Sequence, residues 1–215
     1  IAISIIIPII FIEHLSSYKS KIVFLSLLAS ISVIALIYPI FAIQVRVSDR
    51  FSNNTQGLDG MEFMKNNVYY INDQPIDLNE SYKAINWLNQ NISGNPNIVE
   101  ASGSLYSWTS RISIYTGLPT VLGWDWHQKQ QRSLEANSII KRKNDIDTFY
   151  NTLSDEYMID FLDYYGIELI ILGPLEKTLY EKNGLIKFNN LNDKFIDIYK
   201  EDDFRIIKYI GASDE

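Results

Sequence analysis

The chain contains no cysteine. Disulfides and thiolate metal sites are therefore excluded. Its two histidines, His14 and His127, stand far apart in the sequence, which leaves no His-rich metal site. Glycine-rich nucleotide motifs are also missing. Ala101-Ser102-Gly103-Ser104 follows an apolar stretch and offers a turn on which a phosphate could sit. It lacks the lysine of a P-loop and the three glycines of a dinucleotide fingerprint. Serine, histidine and aspartate all occur, but no serine lies in a nucleophile-elbow context, so a hydrolase triad has no local support. Positive charge is scarce as well. The net charge is −7, from 19 basic and 26 acidic residues. Setting aside Lys19, Lys21 and Glu13 leaves 17 basic and 25 acidic groups over residues 44–215, a net of −8. An acidic domain of this kind is not built for nucleic acid or for anionic lipid.

The longest absence is of charge itself. Residues 22–45, IVFLSLLASISVIALIYPIFAIQV, carry none. As a helix this run extends about 36 Å at ~1.5 Å per residue, enough to cross a bilayer core. Its serines are tolerated in lipid because they bond back to the helix, and Pro39 sits near the end, where a kink costs least. Residues 1–12 are equally apolar but too short to cross, and they begin without methionine. They read as a truncated transmembrane helix, with 13–21 as a short loop, 22–45 as the complete transmembrane helix and 46–57 as a polar linker. Residues 58–215 read as a separate α/β domain. The chain as a whole reads as the C-terminal piece of a longer polytopic protein whose remainder lies upstream. The basic residues flanking the span are nearly balanced and give no orientation.

The domain is expected to be α/β, with a small mixed sheet covered by helices and a C-terminal hairpin. Asp77 with Glu80 resembles a capping box before Leu78, Tyr82, Ile85 and Leu88, which recur at helical spacing. Strands are predicted at 97–101, 120–122 and 168–172, and helices at 107–116, 145–150 and 155–165. A further helix opens at Gly173-Pro174 and ends near Gly184. Gly117 and Gly166 are placed as helix C-caps. The runs 195–199 and 204–210 flank a turn. Asp59 is placed to cap a helix beginning at Met61. Asn53, Asn79 and Asn91 each open a glycosylation acceptor pattern, which is common by chance in an Asn-rich chain.

Residues 111–132, RISIYTGLPTVLGWDWHQKQQR, concentrate the chemistry. Two arginines, two tryptophans, a tyrosine, a histidine and an aspartate stand around Gly117, Pro119 and Gly123. Trp124 and Trp126 are suited to stack on sugar rings, and Asp125 and His127 to bond ring hydroxyls. Arg111 and Arg132 could clasp a phosphate or carboxylate bidentately. Glu100 ends a predicted strand and could point into the cleft beyond the sheet, where α/β sites form. With Tyr106 these residues make the candidate substrate-binding set, and no catalytic residue is assigned. Each has an alternative reading. Arg111 could pair with Glu100 inside the fold, His127 could be structural, and one tryptophan could anchor the domain on its core or at a membrane interface.

The segments LDGMEFM (58–64), AINWLNQNISGNPNIVEASGSLYSW (84–108), RISIYTGLPTVLGWDWHQKQQR (111–132) and YYGIELIILGPLEKTLY (164–180) resemble the C-terminal region of the YYY family, large polytopic membrane proteins of archaea and Chloroflexi. That family is similar in layout to C-type-fold membrane glycosyltransferases, which take sugar from a polyprenyl-phosphate carrier. The resemblance implies an extracytoplasmic domain that shapes a donor or acceptor pocket, with a polyprenyl-phosphate-linked sugar as donor substrate and no other cofactor. It implies the bilayer, a glycan or lipid-linked sugar and the upstream part of the same chain as partners. It also implies that the catalytic carboxylate lies upstream of this chain. The family string commonly has His-Glu and then Gln-Trp-Arg. Here Gln128 follows His127 and Gln131 precedes Arg132, so the carboxylate and the aromatic are both replaced.

Overall fold

The computed structural model describes residues 2–50, 59–132, 134, 136–189 and 193–211. The chain divides into two units, Ile1–Gly57 and Leu58–Glu215. In the first, α1 (Ala2–His14) contains Pro8, and α2 runs from Tyr18 to Arg50. The stretch Tyr18–Ser48 of α2 is long and apolar enough to cross a membrane. The helix extends beyond the charge-free run at both ends, because nothing in the flanking residues breaks it. Ser30 returns its hydroxyl to the Ser26 carbonyl at 2.9 Å, the back-bonding that lets serine sit in an apolar helix.

The second unit opens with the Asp59 cap that the sequence predicts, followed by a β-hairpin that it does not. Asp59 accepts from the Met61 N–H at 2.9 Å, and a 3₁₀ turn follows over Glu62–Asn66. A hairpin then pairs β1 (Val68–Ile71) with β2 (Gln74–Asp77). Asn72 and Asp73 take positive φ at its turn, as a tight hairpin requires. Pro75 sits within a two-stranded ribbon, where no central ladder needs its N–H.

Asp77 caps α3 (Leu78–Asn91), accepting from Asn79 at 2.9 Å. The main sheet has the order β3-β4-β6-β5, where β3 is Asn97–Val99, β4 Ile167–Leu172, β5 Phe195–Glu201 and β6 Phe204–Tyr209. β3 and β4 are parallel; β4–β6 and β6–β5 are antiparallel. The mixed α/β architecture and the C-terminal hairpin thus stand as the sequence predicts. β3 is shorter than predicted because Glu100 and Ala101 leave the ladder for other partners. The expected strand at 120–122 reduces to a single bridge, Thr120 with Ile98.

Between β3 and β4 lie α4 (Arg111–Thr116), α5 (Asp125–Gln131), α6 (Ala136–Asn151) and α7 (Asp155–Tyr165). The predicted helix over 107–116 begins only at Arg111. Tyr106 and Ser110 take left-handed backbone with φ of 58° and 62°, which no helix accommodates. Gly117 and Gly166 do close α4 and α7 in that conformation. The helix expected over 174–184 divides into α8 (Pro174–Leu179) and α9 (Lys182–Leu185).

Both faces of the sheet are covered. On one, Val99, Ile170 and Ile207 meet Phe149, Tyr150, Phe161 and Leu162 of α6 and α7. On the other, Ile98, Leu169, Ile171 and Ile206 meet Ala84, Ile85 and Leu88 of α3. Strands buried on both faces need no polar alternation, which is why IELIIL reads as a nearly continuous apolar run. Tyr150 donates its buried hydroxyl toward the carbonyls of Ile171 (2.8 Å) and Val99 (3.2 Å), linking α6 to the ends of β4 and β3.

Candidate functional site

The carboxyl ends of β3 and β4 converge on a buried polar knot. Glu100, the first residue after β3, is 0% exposed, and its two oxygens accept from Ile112 N and Ser113 N, each at 2.9 Å. These are first-turn amides of α4. Ser110, which precedes the helix, makes no side-chain cap because its backbone is left-handed. A glutamate from another element therefore caps the helix, with its carboxyl at the positive end of the dipole. Burial pushes the Glu100 carboxyl up to about 7, against the opposing pull of Arg111 and the two amide donors.

Arg111 is 1% exposed. Its Nη1 and Nη2 donate to the two oxygens of Glu176 at 3.0 and 2.9 Å, and its Nε donates to Ser81 of α3 at 3.0 Å. Glu176 also accepts from Ala101 N (3.0 Å) and Gly173 N (2.9 Å). The partner of Arg111 is thus Glu176 and not Glu100, whose oxygens are engaged by backbone. The bidentate geometry suits a fork against a carboxylate, and it is satisfied within the protein.

In front of this knot the chain turns sharply. A Cβ on Gly103 would lie 2.7 Å from the Thr109 methyl, so the loop closes only over glycine. Ser107 donates back to the Ser104 carbonyl and exchanges a hydrogen bond with Thr109 at 2.8 Å. This fold of the loop places Trp108 among Phe63 (ring centroids 5.9 Å), Tyr115 (6.0 Å) and Tyr69 (6.4 Å). Trp124 donates its indole N–H to the Thr109 carbonyl at 3.2 Å. Tyr106 lies 5.5 Å from Trp124 and 5.1 Å edge-on from His127, with its hydroxyl 3.3 Å from His127 Nε2.

A cavity of about 250 Å³ opens here, lined among others by Tyr69, Tyr106, Trp108, Arg111, Tyr115 and Trp124. Among the described residues no carboxylate lines it. Of the sequence-predicted set, Tyr106, Arg111 and Trp124 reach the cavity. His127 packs behind Tyr106 and Trp124, and Glu100 supports α4 from beneath. Asp125, Trp126 and Arg132 do not line it. Asp125 pairs with Lys129 at 2.7 Å, Trp126 is 56% exposed, and Arg132 is an exposed residue at the end of α5.

Trp108, Tyr69 and Tyr115 carry much of the wall and lie outside the predicted set. The β-branched and aromatic run Val68-Tyr69-Tyr70-Ile71 was the available signal for a strand carrying Tyr69. Glu176 was equally unforeseen, although a glutamate three residues after a Gly-Pro helix start has the position that reaches back to the N-cap amide. Among the described residues no group of histidine and carboxylate side chains could hold a metal ion.

No protein-family model matches the chain. Neither does any curated protein or solved structure.

Proposed function

We propose that this chain is a membrane-anchored, non-catalytic binding domain whose aromatic cavity takes a sugar ring of a glycan. The observation that carries this reading is the cavity wall itself: two tryptophans and three tyrosines around about 250 Å³, with no carboxylate among the described residues. Aromatic faces bind the apolar faces of sugar rings, and phenolic and hydroxyl groups at the edge bond ring hydroxyls. Acid–base chemistry needs a free titratable group beside the reacting bond. Arg111 of the lining is held by Glu176, and Glu100 is engaged by the first amides of α4. The apolar stretch Tyr18–Ser48 would hold the domain at a bilayer.

The motif resemblance supports a second reading, in which the same cavity shapes the donor or acceptor site of a membrane glycosyltransferase that uses a polyprenyl-phosphate sugar. In that case the reacting carboxylate comes from outside residues 1–215, and the domain faces the extracytoplasmic side.

Tryptophan fluorescence of the full chain, titrated with glucose, mannose and N-acetylglucosamine in detergent, tests the first reading. A saturable change with at least one sugar is expected, lost in Trp124→Ala and in Tyr115→Ala. No change with any of them, or a change that survives both substitutions, would overturn it. Under the second reading, Trp124→Ala would also lower sugar transfer by membranes containing the complete protein.

A further inference from the structure

A second cavity, of about 280 Å³, lies between α6 and α7. Its lining includes Tyr157, Tyr164, Tyr165, Asp145, Asp160 and Lys141. Tyr164 and Tyr165 stand at 88° to one another with centroids 4.8 Å apart, forming an aromatic corner. The ammonium of Lys141 sits in that corner, 4.9 Å from the Tyr164 centroid and 5.9 Å from that of Tyr165. Asp145 accepts from Lys141 at 2.5 Å and from the Tyr165 hydroxyl at 2.6 Å. Asp160 makes no ion pair among the described residues, so the lining itself carries two aspartates against one lysine.

We propose that this cavity is a binding site for a small methylated ammonium solute of the choline type, with the Lys141 ammonium as its internal stand-in. Aromatic corners backed by carboxylates attract such cations through the ring quadrupoles, and bulky N-methyl groups fill the space that a lysine head leaves. Lys141 is 59% exposed at its side chain and sits on a flexible stem, so it can withdraw into solvent. Asp145 then keeps the Tyr165 hydroxyl and turns its charge to the ligand. The same acidity disfavours a phosphocholine headgroup, whose phosphate would face Asp145 and Asp160. The ligand is therefore a free ammonium solute, not a lipid.

The test is saturation-transfer NMR on the methyl signal of tetramethylammonium chloride, using the full chain in a maltoside detergent, with sodium chloride at matched ionic strength as control. Saturable transfer is expected with the wild type. Lys141→Ala should tighten it by about threefold or more, because the internal competitor is removed. Tyr164→Leu should abolish it; Tyr164 is 71% exposed, so the core is untouched. Phosphocholine should bind more weakly than tetramethylammonium. Absence of transfer in both the wild type and Lys141→Ala overturns the proposal, as does equal transfer in Tyr164→Leu. Phosphocholine binding as well as tetramethylammonium would overturn the assignment to a free solute.

Discussion

Arg111 and Glu176 show why single buried charges matter most at the residue scale. Each is almost fully buried, and each satisfies the other bidentately. Glu176→Gln should leave the guanidinium unpaired and cost about 3–5 kcal/mol, the range for breaking a buried pair. The combined Arg111→Met/Glu176→Gln variant should recover part of that loss, and urea midpoints of the three proteins measure it. Glu100 adds a pH dependence. Its folded value is raised to about 7 by burial, from an ordinary 4.5. The folded state therefore holds this proton more tightly than the unfolded chain does. The contribution of Glu100 is fully present below about pH 4.5 and is lost as pH rises through 7. At ~1.4 kcal/mol per pH unit the loss amounts to roughly 3 kcal/mol. Glu100→Gln should flatten stability over this window, measured as thermal midpoints from pH 4.5 to 8.

Elements here depend on caps and close approaches supplied by other elements. α4 has six residues, too few to persist alone, and it is held by Glu100 at one end and Gly117 at the other. Gly117 has φ of 76° and open space around it. Gly117→Ala should therefore cost only the left-handed backbone, about 1 kcal/mol. Gly184 differs. A Cβ there would lie 2.5 Å from Asn151 Cα and 2.5 Å from the Tyr150 carbonyl. Gly184→Ala must push α9 away from the end of α6, at a cost of ~1–3 kcal/mol. Comparing the two variants by denaturant unfolding separates backbone strain from steric contact. Lys187 reinforces the same junction, donating to the carbonyls of Phe149 and Thr152 just where α6 ends.

For the whole molecule, the division between Gly57 and Leu58 separates a long apolar helix from a unit with its own core. The apolar stretch of α2 is suited to lipid, whereas the second unit has a core of its own on both faces of its sheet. The full chain should stay in the membrane pellet after alkaline carbonate extraction. Ile34→Arg, placed near the middle of the apolar run, should lower the retained fraction, since an arginine there costs about 3 kcal/mol. A chain beginning at Leu58 should remain in the supernatant and melt in one cooperative transition by circular dichroism.

The sequence alone determined the features whose physics is local. A charge-free run sets a span by length, alternating and continuous apolar runs set β4 and the β5–β6 hairpin, and Asp77, Gly117 and Gly166 set helix ends within a few residues of themselves. The aromatic and polar cluster of 111–132, with Tyr106, likewise marked the neighbourhood of the cavity. Only the tertiary structure decided the roles of the charged residues there. Arg111 meets Glu176, 65 positions away, because parallel β3 and β4 bring their carboxyl ends together. Glu100 turns to α4 because left-handed Ser110 leaves that helix without a cap. Trp108 and Tyr69 became cavity walls only once the β1–β2 hairpin folded against the loop. Pairing across such distances is set by which elements pack together, and no residue pattern read along the chain encodes it.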